Sequence, residues 1–254
     1  METFIEKIAM AKKIGVLFKV FSREDYKEGF LDGHLYMNTI DYFRKYEEEL
    51  DGNIADKFEA LTGWFQPHDV ILTLEVNGEK LTLNPDDMAG PTTISMKKHD
   101  HANVYCMTQL HSHDIDMSRV KGEEEERRLR QYFTLPKESE NLGAYLVIIV
   151  NPAAFLERVR LAVQGHVEKN EVYAYQAKQV IYYDENKTSL TLKNDMEAPF
   201  YKQSKYSHQS EFRLCLLRDN VNNKPFTLNI GSIRDIATEI RTEEFNSLIE
   251  IKRN

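Results

Sequence analysis

The chain has 254 residues, enough for one large domain or two small ones, and the absence of internal repeats and long linkers favours one. Hydrophobic residues make up 41% and aromatics 11%, ample for a core, since chains of this size bury roughly three quarters of their unfolded surface. A formal net charge of -8 argues against broad electrostatic binding to nucleic acid, which needs Lys and Arg to displace counterions, while leaving room for a local basic patch.

Met1–Lys13 reads as a short amphipathic helix with Phe4, Ile5 and Ile8 on one face, not as a signal peptide. Ile14–Phe21 is an apolar run expected to form the first central strand. Ser22, followed three residues on by Asp25, is a capping-box pattern opening a helix that ends at Gly33. His34–Asn38 reads as a second strand. Asn38 or Thr39 then caps a helix over Ile40–Glu49, where Ile40, Phe43 and Tyr46 recur at helical spacing. Asp51-Gly52-Asn53 is a turn. Asp69–Val76 and Lys80–Leu83 flank Asn77-Gly78, a strong hairpin signal. Asn84–His101 reads as loop and Asn103–Gln109 as strand. Lys121–Arg130 reads as a solvated helix with Glu-to-Arg spacings of three and four.

Gly143–Val150 is expected to be a central strand. Asn151-Pro152 starts a helix that buries Phe155, Val159 and Val163 and ends at Gly165. Glu171–Tyr183 alternates as one long strand with Val172, Ala174, Val180 and Tyr182 inward. Glu211–Arg218 and Thr227–Ile230 read as strands, and Ile233–Ile240 as a closing helix. This pattern predicts a single α+β domain over 1–254, with a mixed, mostly antiparallel sheet and peripheral helices. The longest apolar run, Tyr145–Val150, is too short to span a bilayer. Cys106 and Cys215 lie in apolar, strand-like runs and read as buried thiols rather than as a disulfide or a nucleophile. The expected address is the cytoplasm.

No glycine-rich phosphate loop, GxGxxG, GxSxG, CxxC or HExxH occurs. His99, Asp100, His101 and His111, His113, Asp114, Asp116 form the best metal-like cluster, but they lie in polar, loop-like sequence, and no metal is expected. Two segments gather the remaining chemistry. In Gly33–Glu59, Tyr36, Arg44, Asp56 and Glu59 stand among aromatics. An Arg there can hold a phosphate bidentately and stack on a ring. Asp56 and Glu59, three apart, can instead hold Arg44 as a structural pair. In Tyr201–Arg213, Lys202, Lys205 and His208 form a basic patch with Tyr201 and Tyr206 interleaved. Gln209, Glu211 and Arg213 alternate at the start of an apolar strand, so they are expected on one face, with Phe212, Leu214 and Leu216 on the buried one.

Several short motifs, in order, resemble an uncharacterised family of bacterial domains associated with mobile elements and phage defence. They are VLFKVF (Val16–Phe21), GHL (Gly33–Leu35), DKFE (Asp56–Glu59), VYC (Val104–Cys106), YLVIIVNPAAF (Tyr145–Phe155) and QSEFRL (Gln209–Leu214). Gln209 stands where that family's late motif begins with Glu. A second resemblance is carried by Gln209-Ser210-Glu211, which is similar to the Gln/Glu-x-Glu signature of ADP-ribosyltransferases. That likeness implies NAD as substrate, Glu211 as the carboxylate facing the oxocarbenium-like ribose, Gln209 orienting ribose or acceptor, and Tyr36 stacking on nicotinamide. Lys19 stands on the first strand where that family carries Arg or His; Lys19, Arg44 and Arg213 are the candidates to hold phosphate.

Three functions follow as expectations. One is an ADP-ribosyltransferase-like transferase or NAD glycohydrolase. The second is a non-catalytic nucleotide sensor or protein-interaction module of a defence system. The third is a metal-dependent nuclease built on Asp56, Glu59 and the histidines. The partners expected are a nucleotide-like small molecule and a protein, with no membrane.

Overall fold

The computed structural model describes residues 15–49, 58–116, 122–194, 196–219 and 223–250. In chain order these form β1 (Gly15–Phe21), α1 (Glu24–Leu31), β2 (His34–Thr39), α2 (Ile40–Glu49), β3 (Leu61–Phe65), β4 (Leu72–Val76), β5 (Glu79–Leu83), β6 (Thr92–Ser95) and β7 (Asn103–His111). Then come α3 (Glu123–Phe133), β8 (Tyr145–Ile149), α4 (Pro152–Glu168), β9 (Ala174–Gln179), β10 (Ile181–Tyr183), β11 (Leu190–Thr191), β12 (Tyr201–Gln203), β13 (Glu211–Leu217), β14 (Phe226–Asn229) and β15 (Ala237–Arg241). Short one-turn and 3-10 helices link several of them.

The main sheet runs β14-β2-β7-β1-β8-β15, with β13 and β9 continuing from β7, and every pairing in it is antiparallel. β10 and β12 pair in parallel. β3 pairs with β6 and β11, and β4 with β5. The architecture is therefore α+β with a mixed, mostly antiparallel set of sheets. Strand alternation sends side chains to two cores. On one face Leu17, Met107, Val147 and Phe212 meet Phe30 and Leu31 of α1 and Phe155, Val159 and Val163 of α4. On the other, Phe18 and Leu146 meet Leu129 and Phe133 of α3, while Val104 and Cys215 meet Ile40 and Phe200. No helix among the described residues is long and apolar enough to cross a membrane.

The locally encoded elements form where expected. Asn151 caps α4 by accepting from Ala154 N, Thr39 Oγ1 accepts from Tyr42 N in the first turn of α2, and Asn77 and Gly78 carry the positive φ values of a tight hairpin turn. Five expectations are corrected. Asp25 does not close a capping box: Arg23 holds both its carboxylate oxygens, at 2.9 and 2.6 Å. Gly165 lies inside α4, with open space beside it, and does not end it. Asn84–His101 contains β6 and a one-turn helix, Lys97–Asp100. The long strand over Glu171–Tyr183 breaks between β9 and β10, which join different sheets. Ile233–Ile240, helical by apolar spacing, instead supplies β15, because its backbone pairs along β8 from Ala237↔Ile149 to Arg241↔Tyr145. Met1–Lys13 and Asp51-Gly52-Asn53 lie outside the described residues.

The Gly33-His34-Leu35 motif has a steric basis. Gly33 follows α1 with φ +89°, its N–H donating to Phe30 O at 2.9 Å. A Cβ there would stand 1.9 Å from Gly231 O. Two residues on, Leu35 is fully buried. Gly33→Ala is therefore expected to cost at least about 1–2 kcal/mol from the left-handed backbone alone, with the clash added, and urea unfolding measures it. An unchanged midpoint would show that the Gly33–Gly231 contact carries no strain.

Candidate active-site cleft

The cleft begins as a fork in the sheet. β13 lies along one edge of β7, from Glu211↔Thr108 to Leu216↔Asn103. The other edge is shared. β1 takes Thr108–His111, and β2 takes only Asn103 and Val104. Between them, Tyr105, Cys106 and Met107 meet no strand on that edge among the described residues. Backbone groups left in this way need another partner. Lys19 supplies one: its Nζ donates to Cys106 O at 2.6 Å while lying 4.6 Å from the centre of the Tyr105 ring. A cavity of about 590 Å³ opens at the fork, lined by β1 and β2 on its two sides and by Val104–Thr108 beneath.

Four buried charges close one wall. Glu211 opens β13, and Arg213, two residues on, shares its face. Glu59 comes from the turn before β3, and Lys202 from β12. None of the four is more than 5% exposed. Arg213 donates to Glu211 Oε1 through Nε at 2.9 Å and Nη2 at 2.6 Å. Its Nη1 donates to Glu59 Oε1 at 2.6 Å and to the Pro199 carbonyl. Lys202 Nζ donates to Glu211 Oε2 at 3.0 Å and Gln209 Oε1 at 2.8 Å, and lies 3.7 Å from Glu59 Oε2. Two carboxylates thus face two cations, the arrangement that buried charge requires.

This balance sets the protonation states. Burial alone would raise the Glu211 carboxyl, but Arg213 and Lys202 overcome it and hold the group well below the usual carboxylate range. Burial would lower Lys202, yet Glu211 and Glu59 keep it above its ordinary value. Cys106 is pushed up to about 12, first by burial and then by Glu211, so its thiol stays protonated. Burial likewise pushes Cys215 up to about 12. Lys19 is lowered by burial, against weaker support from Cys106 and Glu211. Tyr182, raised by burial and by Glu211, accepts from Glu211 N at 2.9 Å.

Left-handed backbone flanks both carboxylates. Ala60, directly after Glu59, has φ +55°, and Ser210, directly before Glu211, has φ +43°. Such residues cost about 1–2 kcal/mol each and persist where the surroundings over-determine them. Ser210 O is held by Gln109 N at 2.8 Å, which turns the chain from a 3-10 helix into β13.

Both sequence segments reach the cavity. Tyr36 lies on its rim, 58% exposed, and Lys19, Gln209, Glu211 and Arg213 also line it. Gln209 precedes the strand rather than alternating along it, and it joins Glu211 through Lys202. Arg213 lies in the wall with its guanidinium committed to Glu211, Glu59 and Pro199 O. Arg44 is not in the lining. Its Nε and Nη2 donate to the Glu59 carbonyl at 2.8 and 2.6 Å and its Nη1 to Asp100, so it braces the backbone of Glu59 and does not meet that residue's carboxylate. Asp56 lies outside the described residues. The expected basic patch divides, with Lys202 buried and Lys205 exposed. β13 is buried along its whole length between β7 and β9.

Several lining residues were not anticipated as site residues from the sequence, Asn38 and Tyr26 among them. Asn38 follows Tyr36 by two on β2, whose intervening Leu35 and Met37 are fully buried; that alternation was a usable signal. Tyr26, on α1 and 55% exposed, carries no comparable one. Tyr182 meets Glu211 across |i−j| = 29, and no local pattern announces it. Among the described residues no group of three or more His, Cys, Asp or Glu is placed to hold a metal. The two histidine pairs sit at opposite ends of β7, whose last residue is His111, roughly 30 Å apart at ~3.3 Å per residue. The His111 and His113 rings lie 3.8 Å apart, tilted by 41°, with Tyr132 beside His113. No protein family, curated protein or solved structure gives a significant match to the chain.

Removing one cation from the network strands a buried carboxylate. Arg213→Met is expected to destabilise the protein by about 3–5 kcal/mol, read as a shift in urea midpoint; a shift under about 1 kcal/mol would show that the ion network has little structural weight. The Glu211 carboxyl is lower when folded than its unfolded value of about 4.3. Its stabilising contribution is therefore complete above that pH and is lost as pH falls below it towards the folded value. Urea midpoints taken from neutral pH downwards should fall below about pH 4.3, and less steeply in Glu211→Gln.

Proposed function

We propose that the cleft belongs to an ADP-ribosyltransferase-like enzyme acting on NAD or a related nucleotide. The observation that carries this reading is the meeting of two distant segments, Tyr36 on one side and Gln209 and Glu211 on the other, around one cavity of about 590 Å³. That volume lies within the range of about 300–1,000 Å³ found for small-molecule sites. Charge supports the same reading. Glu59, Glu211, Lys202 and Arg213 balance one another, whereas Lys19 has no carboxylate within salt-bridge distance among the described residues. The floor of the cleft therefore suits an anionic group such as a phosphate.

In this mechanism nicotinamide leaves C1′ of the ribose with the electron pair of the glycosidic bond. Positive charge develops on C1′ and the ring oxygen, and the ionised Glu211 carboxylate, fixed before the reaction, stabilises it. Gln209 orients the ribose or the acceptor, and Tyr36 offers a face for stacking. Water as acceptor gives hydrolysis; another nucleophile gives transfer.

A second reading has its own support. Both oxygens of Glu211 already accept from cations, which weakens the field it can direct at a reacting centre. This favours a nucleotide-binding module without chemistry. The resemblance to domains associated with phage defence suggests a setting for either reading.

Nicotinamide release from NAD distinguishes them. Wild type is expected to turn over NAD, and Glu211→Gln to lose about 10²–10³-fold in kcat, with its fold checked by thermal unfolding. Tyr36→Ala removes an exposed ring, so stability should hold while KM rises about tenfold, the lower end of a lost base–aromatic stack. Thermal stabilisation by NAD without product would establish the binding module. The absence of both stabilisation and turnover would exclude NAD as the ligand.

A further inference from the structure

Between β3 and β6 the chain extends a hairpin, β4–β5, that pairs with no other strand among the described residues. Its register is regular. Leu72↔Leu83, Leu74↔Leu81 and Val76↔Glu79 alternate with Thr73↔Thr82 and Glu75↔Lys80. Opposed residues share a face, so one side carries Leu72, Leu74, Val76, Leu81 and Leu83 and the other carries the Thr pair and Glu75–Lys80. The apolar side is largely bare: Leu74 is 45% exposed, Leu81 57% and Val76 64%. None of these side chains joins the buried clusters. A lone two-stranded hairpin is only marginally stable in water, and an apolar face of this kind is a common mark of an interaction site.

Charge selects the occupant. Asp69 stands in the 3-10 turn before β4, and Asp86 and Asp87 in the one after β5. Glu79 sits at the tip on the apolar side, opposite Val76, whereas Glu75 lies on the other face, across from Lys80. Against these five carboxylates residues 69–87 hold one cation, Lys80, which lies 3.9 Å from Glu75. A second copy of the hairpin would bring acid against acid, and anionic lipid or nucleic acid would be repelled. A segment that alternates aliphatic and basic side chains satisfies both the stripe and its rim.

We propose that the apolar face of β4–β5 is the docking surface for a basic, alternately apolar segment of a partner protein. The site is separate from the cleft, and its test does not depend on any ligand there. A fluorescent ten-residue peptide of alternating Val and Lys, titrated with the full chain and followed by anisotropy, is the probe; alternating Val and Glu is its control. Wild type is expected to bind the Lys peptide and not the Glu peptide. Leu74→Asp with Leu81→Asp should weaken binding at least tenfold, as should Glu79→Lys. Salt should weaken it too, since the screening length shortens to about 3 Å at 1 M. These side chains are exposed, so thermal unfolding should not shift. Equal binding of the two peptides, or binding of neither, overturns the proposal. So does a dimer in sedimentation that Leu74→Asp dissolves, or binding to vesicles of anionic phospholipid.

Discussion

The Arg213 guanidinium is the contact on which the cleft depends. It sits on a strand buried from end to end between two neighbours, where an unpaired charge is not tolerated. Its donors therefore dictate what must surround it: Glu211 from its own strand, Glu59 from the turn before β3, and the Pro199 carbonyl. Lys202 then balances the second carboxylate. One side chain thus ties together segments that lie up to 154 residues apart. Arg44 reinforces the same junction from outside by gripping the Glu59 carbonyl.

The fork in the sheet follows a different logic. A continuous edge along β7 would satisfy the backbone and leave no room for a ligand. β1 and β2 instead take opposite ends of that edge, and Lys19 spans the gap with a side-chain hydrogen bond to Cys106 O. The opening gains a cation at its base and aromatic rings at its mouth. Its carboxylate wall is rigid, because the ion pairs fix Glu211 and the left-handed residues Ala60 and Ser210 aim the chain on either side. Such preorganisation suits a group that must face developing charge without rearranging.

The same chain shows two ways of handling apolar and charged surface. Inside the cleft, charges are neutralised pair by pair, and burial with Glu211 alongside keeps the Cys106 thiol protonated. On the β4–β5 hairpin, a bare aliphatic stripe with Glu79 at its tip lies on one face and the Glu75–Lys80 pair on the other. The first arrangement is complete within the molecule apart from Lys19. The second leaves Leu74, Val76 and Leu81 exposed.

Local chemistry was enough to read much of this from the residues alone. Apolar runs identified β1 and β8, short strand-like stretches identified β2, β7 and β13, Asn-Gly identified the hairpin, Asn151-Pro152 identified the start of α4, and Gly33 marked the end of α1, because each rests on contacts within a few residues. Alternation put Glu211 and Arg213 on one face. What the residues could not convey is which partners lie across the fold. Ile233–Ile240 has helical spacing, yet the open edge of β8 makes its end a strand. Arg44 stands beside acidic residues in sequence, yet it binds the Glu59 carbonyl and the distant Asp100. Lys202 looks like part of a solvated patch, yet it is buried against Glu211. The fork itself depends on three strands competing for the two edges of β7. Pairings over such distances are settled by packing and charge balance together, and no local pattern records them.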